Sequence, residues 1–159
     1  MSNPDTPGES ARLTRSPINL EDCGLSATAE LIGDRWTLLV LRSIFYGVCR
    51  FADIKADIGI PGSTLSNRLR MLIDAGLLDE HPYRDGNARS RVEYRLTPEG
   101  QTLRNVLMAM MNWGDRNLRR KEAMLRVVSK TTGEELELGW VDKRGRRVDA
   151  ADIDYVIRP

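Results

Sequence analysis

The four residues Gly59-Ile60-Pro61-Gly62 constrain this chain more than any other stretch. They cannot lie inside a helix, because Pro61 lacks a backbone N–H and the two glycines give up the most freedom on ordering. Yet apolar residues recur at helical spacing on both sides. RFADIKADI, residues 50–58, presents Phe51, Ile54 and Ile58. GSTLSNRLRMLIDAGLL, residues 62–78, sets Leu65, Leu69, Leu72 and Ile73 along one face. Two helices about a tight turn are therefore expected. The polar side of the second carries Ser63, Thr64, Ser66, Asn67, Arg68 and Arg70, with no acid before Asp74. An ordinary solvated helix face would carry Glu and Lys, so this face needs a different explanation.

The pattern beyond residue 77 changes from helical to alternating. Val92, Tyr94 and Leu96 alternate with Glu93 and Arg95, the pattern of a half-buried strand. Turn residues at Asp85-Gly86-Asn87 make residues 77–97 a β-hairpin with a mobile tip. Arg84, Arg89 and Arg91 surround that tip. Upstream, residues 24–33 read as a short helix with Leu25, Ala29 and Ile32 on one side. Gly33 ends it, and Asp34 caps RWTLLVLRSIF, which is apolar nearly all round and so expected to be buried and central. Thr97-Pro98 opens a long helix running to about Arg120. Residues 121–159 read as a small β extension of two or three strands, turning at Thr132-Gly133 and Arg144-Gly145. Residues 1–20, polar and rich in proline, read as a disordered arm.

The bulk properties narrow the function. A net charge of +1 over 159 residues confines any nucleic-acid surface to a local patch. No apolar run of about 18 residues and no apolar leader are present, so a cytoplasmic protein without a membrane segment is expected. Two cysteines, Cys23 and Cys49, cannot form a disulfide framework. His81 has no cysteine or carboxylate at ligand spacing, so no metal is expected. No nucleophile–base motif and no phosphate-cradling glycine loop occurs. The expectation is therefore a protein that is not an enzyme and holds no cofactor.

Helix, tight turn, second helix and hairpin, in that order over residues 50–97, is the order of a winged helix-turn-helix. The fold class expected is mainly α with a small β component. In that arrangement the second helix enters the major groove of double-stranded DNA. Ser, Thr, Asn and Arg can donate there, whereas Glu would meet phosphate with like charge. Asn67 and Arg70 lie three residues apart on one face and suit base contacts, each providing about 1–3 kcal/mol of discrimination. Thr64 and Ser66 suit phosphate or a thymine methyl. Arg68 either contacts phosphate or pairs with an acid such as Asp74. Arg84, Arg89 and Arg91 would add salt-dependent affinity with little sequence information. Trp36, Met110 and Trp113 either line an effector pocket or belong to a dimer core. The alternative is a winged-helix module that docks an acidic protein partner without specific DNA binding.

The segments LIGDRWTLLVLRSIFYGVCRFADIKADI, STLSNRLRMLIDAGLL and RVEYRLTPEG together resemble the HxlR-type winged helix-turn-helix transcriptional regulators of bacteria. The resemblance runs from Cys23 to about Leu118. It implies a homodimeric regulator of MarR-like architecture that binds a palindromic operator. Residues 21–120 would form the winged domain, and residues 24–33 and 98–120 would be its dimerisation helices. The tail is similar to a small β extension of longer members. Some members sense oxidants through a cysteine at the position of Cys23, and a helix N-terminus favours that chemistry by lowering a thiol's pKa. Two features depart from the family. Pro61-Gly62 stand where Ser-Pro often opens the recognition helix, so either the helix starts later with Ser63 as its cap or it begins weakly. Arg89-Ser90 stand where the wing often carries prolines, which makes it more flexible and more basic.

Overall fold

The computed structural model describes residues 18–84, 86, 90–119 and 125–154. Most of the expected N-terminal arm lies outside the described residues, as does Arg89. Three helices precede the glycine-proline turn: α1 (Gly24–Ile32), α2 (Arg35–Phe45) and α3 (Phe51–Ile58). The Asp34 carboxylate caps α2, accepting from the N–H groups of Trp36 at 3.0 Å and Thr37 at 3.2 Å. The α2 helix is central, but it is buried on one face only. Val40, Leu41 and Ile44 lie inside together with the hydroxyls of Thr37 and Ser43. Leu38 and Phe45 pack against the core from its edge.

The α3 helix ends on Gly59 in the left-handed region (φ 66°), a conformation open to glycine at little cost. Ile60 then plugs the core and Pro61 is extended. The next helix, α4 (Gly62–Asp74), starts at Gly62 without a side-chain cap. Of the two starts open to the sequence, the weak early one is therefore found. Leu65, Leu69 and Leu72 are buried, as their spacing requires, while Ile73 only packs against the edge. Each fully buried Leu or Ile contributes about 1.5–3 kcal/mol, so this seam fixes the angle between α4 and α2.

The hairpin β1 (Leu78–Tyr83) and β2 (Arg91–Leu96) is antiparallel, with register from Leu78↔Leu96 to Tyr83↔Arg91. A bridge between Arg50 and Glu93 ties it back to the start of α3, and the Tyr94 N–H donates to the Cys49 carbonyl at 2.8 Å. The expected alternation holds at Tyr94, which is buried, and fades outward: Leu96 is half-buried and Val92 exposed. Strands this short reach past the core, so only the base of the hairpin is covered.

Thr97 caps the next helix, accepting from the Gly100 N–H at 3.0 Å and donating to the Gly76 carbonyl at 2.7 Å. The single helix expected over 98–120 is instead broken into α5 (Pro98–Thr102), α6 (Arg104–Gly114) and a wider turn at Asp115–Arg119. Two local bonds tighten the break. The Leu103 N–H donates to the Gly100 carbonyl, and the Thr102 hydroxyl donates to the Glu99 carbonyl. Gly100 is held close: a Cβ there would lie 2.1 Å from the Leu77 carbonyl oxygen. In the tail, β3 (Trp140–Val141) pairs with β4 (Arg147–Val148), and Val128 bridges Glu135. The molecule is a mainly α winged helix-turn-helix with small antiparallel sheets. Among the described residues no helix is long and apolar enough to cross a membrane.

Candidate nucleic-acid interface

The leucine seam turns the opposite side of α4 to solvent. Ser63, Ser66, Asn67 and Arg70 are exposed, and Thr64 is half-buried. Among the described residues Asn67 and Arg70 have no ion pair and no side-chain hydrogen bond, which leaves their donors available. The Ser66 hydroxyl donates to the Gly62 carbonyl at 3.0 Å, so its proton is already engaged within the helix. The uncapped first turn of α4 leaves N–H groups without a side-chain acceptor, an arrangement that accommodates phosphate oxygens.

Arg68 differs from its neighbours. It does not reach Asp74. Its Nε lies 3.3 Å from Asp34 Oδ1, across the gap to the start of α2. The two alternatives open to the sequence were an acid nearby in the chain or a phosphate, and the partner found lies 34 positions upstream. One further acid and one hydroxyl escaped sequence reading for the same reason of distance. Ser43, buried in α2, donates to Asp57 of α3 at 2.6 Å, and Arg42 lies 3.5 Å from the same carboxylate. The only local signal was the occurrence of Thr37 and Ser43 on an otherwise apolar face.

At the hairpin, Arg84 and Arg91 are exposed near the tip. Arg50 sits with its guanidinium 4.1 Å from the centre of the Tyr83 ring, a cation–π contact that adds a third basic group at the hairpin and that sequence reading missed. Arg95 is held by Glu93 at 2.7 Å.

The groups with other assigned roles are dispersed. Cys23 stands half-buried at the N-cap position of α1, and its side chain makes no capping bond. Burial pushes the Cys49 thiol above its ordinary range, with Glu93 adding to the shift and Arg95 opposing it. Trp36 packs against the core with Arg35 over its ring. A mainly apolar cavity of about 200 Å³ lies between α2 and α6, lined by Leu38, Leu39, Phe45, Met108, Met110 and Met111 among others. Met110 belongs to it, but Trp36 and Trp113 do not, so the expected trio does not form one pocket. Among the described residues no group of three or more His, Cys, Asp or Glu side chains could hold a metal ion.

Comparison with known proteins gives a consistent picture. The model of the HxlR-like helix-turn-helix family matches residues 31–122. An HTH-type transcriptional regulator of Mycobacterium tuberculosis, itself uncharacterized, is 50% identical over 93 residues. The match covers 58% of this chain and 58% of that relative, so this chain spans a little over half of its length. Among solved structures, PA1607, described as a candidate transcription factor, superposes with a TM-score of 0.69 at 29% identity, covering 84% of this chain and 94% of that one. The redox regulator HypR in its reduced form superposes with a TM-score of 0.53 at 25% identity, covering 62% and 98%.

Proposed function

The chain belongs to the HxlR-like helix-turn-helix family of transcriptional regulators, and from that premise we propose that it binds a palindromic DNA operator as a homodimer. The observation that carries this reading is the face of α4: acid-free, exposed, with Asn67 and Arg70 three residues apart and unengaged among the described residues. Arg pairs in bidentate fashion with guanine and Asn with adenine. Ser63 and Thr64 meet the backbone beside them, Ser66, its proton engaged, faces a thymine methyl, and Arg84, Arg89 and Arg91 add salt-dependent contacts from the wing. The dimer surface is α1 with α6, where Leu25, Val106, Met110 and Trp113 stand exposed in the single chain. Residues 121–159 act as a β extension of this unit. The cavity between α2 and α6 is the place for an effector, if the regulator takes one.

Selection of bound sequences from a random duplex pool tests the reading. The expected product is an inverted repeat whose half-sites lie about one helical turn, roughly 34 Å, apart. Asn67→Ala should cost about 1–3 kcal/mol at one base position and relax the preference there. Binding no tighter to the selected sequence than to random duplex, with Asn67→Ala inert, would favour the alternative of a protein-docking module.

A second reading concerns Cys23. Its support is the position at the start of α1 and the similarity to HypR, solved in both reduced and oxidized forms. Under this reading mild oxidant links Cys23 to its mate in a dimer and alters DNA binding. Cys23→Ser should abolish both effects, and unchanged oxidant sensitivity in that variant rejects the idea.

A further inference from the structure

Asp34 does three things with one carboxylate. Its Oδ1 accepts the Trp36 and Thr37 N–H groups that open α2. Its Oδ2 accepts the hydroxyl of Thr37, which is fully buried. It also faces Arg68, the guanidinium on α4 between Asn67 and Leu69. Burial raises the Asp34 carboxyl, but the Thr37 hydroxyl and N–H, the Arg68 charge and the Trp36 N–H together outweigh it and hold the group ionised below its ordinary range.

Arg68 pairs with this carboxylate by charge. Its Nε is buried and makes no hydrogen bond, since at 3.3 Å from Oδ1 the N–H is poorly aligned. A guanidinium N–H removed from water without an acceptor is unfavourable. What holds it there is the negative charge opposite, at the positive end of α2. The pair therefore joins the start of the central helix to the middle of the helix that carries Asn67 and Arg70. Leucines on the other face fix how deep α4 sits, but a smooth apolar seam tolerates a small rotation about the helix axis. A charge fixed on one side does not.

We propose that Arg68 is a positioning residue, held by Asp34 so that it sets the rotation of α4 and thereby the reach of Asn67 and Arg70 toward bases, and that it is not a phosphate contact. This inference rests on the operator reading above, and it reassigns one residue of the polar face. It predicts that changing Asp34, which stands on a different helix from the reading residues, alters base discrimination.

Asparagine at an N-cap accepts the same N–H bonds as aspartate. Asp34→Asn therefore keeps the N–H bonds that cap α2 and removes the charge that holds Arg68; it also takes the Oδ2 acceptor from the buried Thr37 hydroxyl, so Thr37→Val is measured beside it and should leave discrimination intact. In the full-length protein, binding to the selected operator and to single-base variants of it is measured across a salt series for wild type, Asp34→Asn, Arg68→Met and the double variant. Asp34→Asn and Arg68→Met are each expected to lower operator affinity about threefold and to flatten discrimination at the positions read by Asn67 and Arg70. The double variant should be no worse than either single one, and the salt slope should stay at the wild-type value. Leu107→Ala, a core change on α6, controls for lost stability and should leave discrimination intact. Arg68→Lys, which keeps the charge, should restore part of the discrimination. If Arg68→Met lowers the salt slope by about 1 while Asp34→Asn leaves affinity unchanged, Arg68 binds phosphate and the proposal is wrong. If wild type shows no preferred sequence, the operator reading fails, and thermal unfolding of the same four proteins decides the pairing. Strictly additive shifts in Tm would overturn it.

Discussion

In the helix-turn-helix unit the large apolar side chains are sealed away: Ile54, Leu65 and Leu72 have no exposed surface. In the flanking elements the same residue types stay open. Leu25 of α1 is 78% exposed, Trp113 of α6 59% and Trp140 of β3 61%. Both regions show apolar periodicity, so hydrophobicity alone does not separate them. What separates them is whether the chain supplies a covering surface. The residues from α2 to β2 close on each other within one chain, whereas α1 and α6 present faces that no described residue covers. The first region is closed by the chain itself, and the second is the surface proposed above to meet a second copy.

The largest test of that contrast is to remove one side chain from each region. Leu65→Ala should destabilise the folded chain by about 2–5 kcal/mol, because it leaves a cavity in a seam that cannot collapse. Urea unfolding measures this directly. Trp113→Ala removes a larger side chain, yet it should change the stability of the single chain by no more than about 0.5 kcal/mol. Equal losses at the two sites would erase the distinction between the regions.

The next effect sharpens the contrast instead of breaking it. If α1 and α6 meet a second copy, Trp113→Ala should weaken self-association by about 2 kcal/mol, the scale of a buried aromatic anchor. Sedimentation equilibrium over a range of concentrations reads this as a shift of the monomer–dimer midpoint. A dimer as tight as wild type would move the contact surface elsewhere, with the apolar residues of the tail, such as Trp140 and Val141, as one exposed group.

The same contrast explains what the sequence made readable. The turn at Gly59–Gly62, the leucine face of α4, the hairpin and the Thr97-Pro98 helix start are all local patterns, and each forms where its residues place it. Leu25 and Ile32 were expected on one side of α1, and within the single chain only Ile32 is covered. Periodicity states which face is apolar but not what lies against it. The break at Leu103 left no signal in the sequence; beside it Gly100 seats against the Leu77 carbonyl, a contact between segments distant in the chain. The polar links from α2 to α3 and α4 were hidden for a related reason. A Thr or Ser within a helix reads as surface, and only the folded chain brings Asp34 to Arg68 and Asp57 to Ser43. On α4 the exposed face itself was legible, since it follows from the leucines opposite. The different role of Arg68 within that face was not.

The smallest expected effect concerns Asp34 alone and separates the well-sealed unit from the polar link that ties it together. Because hydrogen bonds and Arg68 hold this carboxyl below its ordinary value of 3.8 in the folded chain, the unfolded chain takes up the proton first as pH falls. The stabilisation is therefore fully present above the unfolded pKa and is lost as pH drops through the folded one. The side chain is about a third exposed, so solvent screening keeps the loss below the roughly 1 kcal/mol that a cap contributes. Thermal unfolding followed from pH 6 down to about pH 2.5 should show an acid limb that is shallower in Asp34→Asn, which has no proton to gain. Other carboxylates contribute to the same limb, so the comparison is the difference between variant and wild type, not the limb itself. The leucine seam has no titrating group, and nothing in it should respond. A limb identical in the two proteins would mean that the folded chain draws no stability from the charge of Asp34, and that α4 is held by its leucines alone.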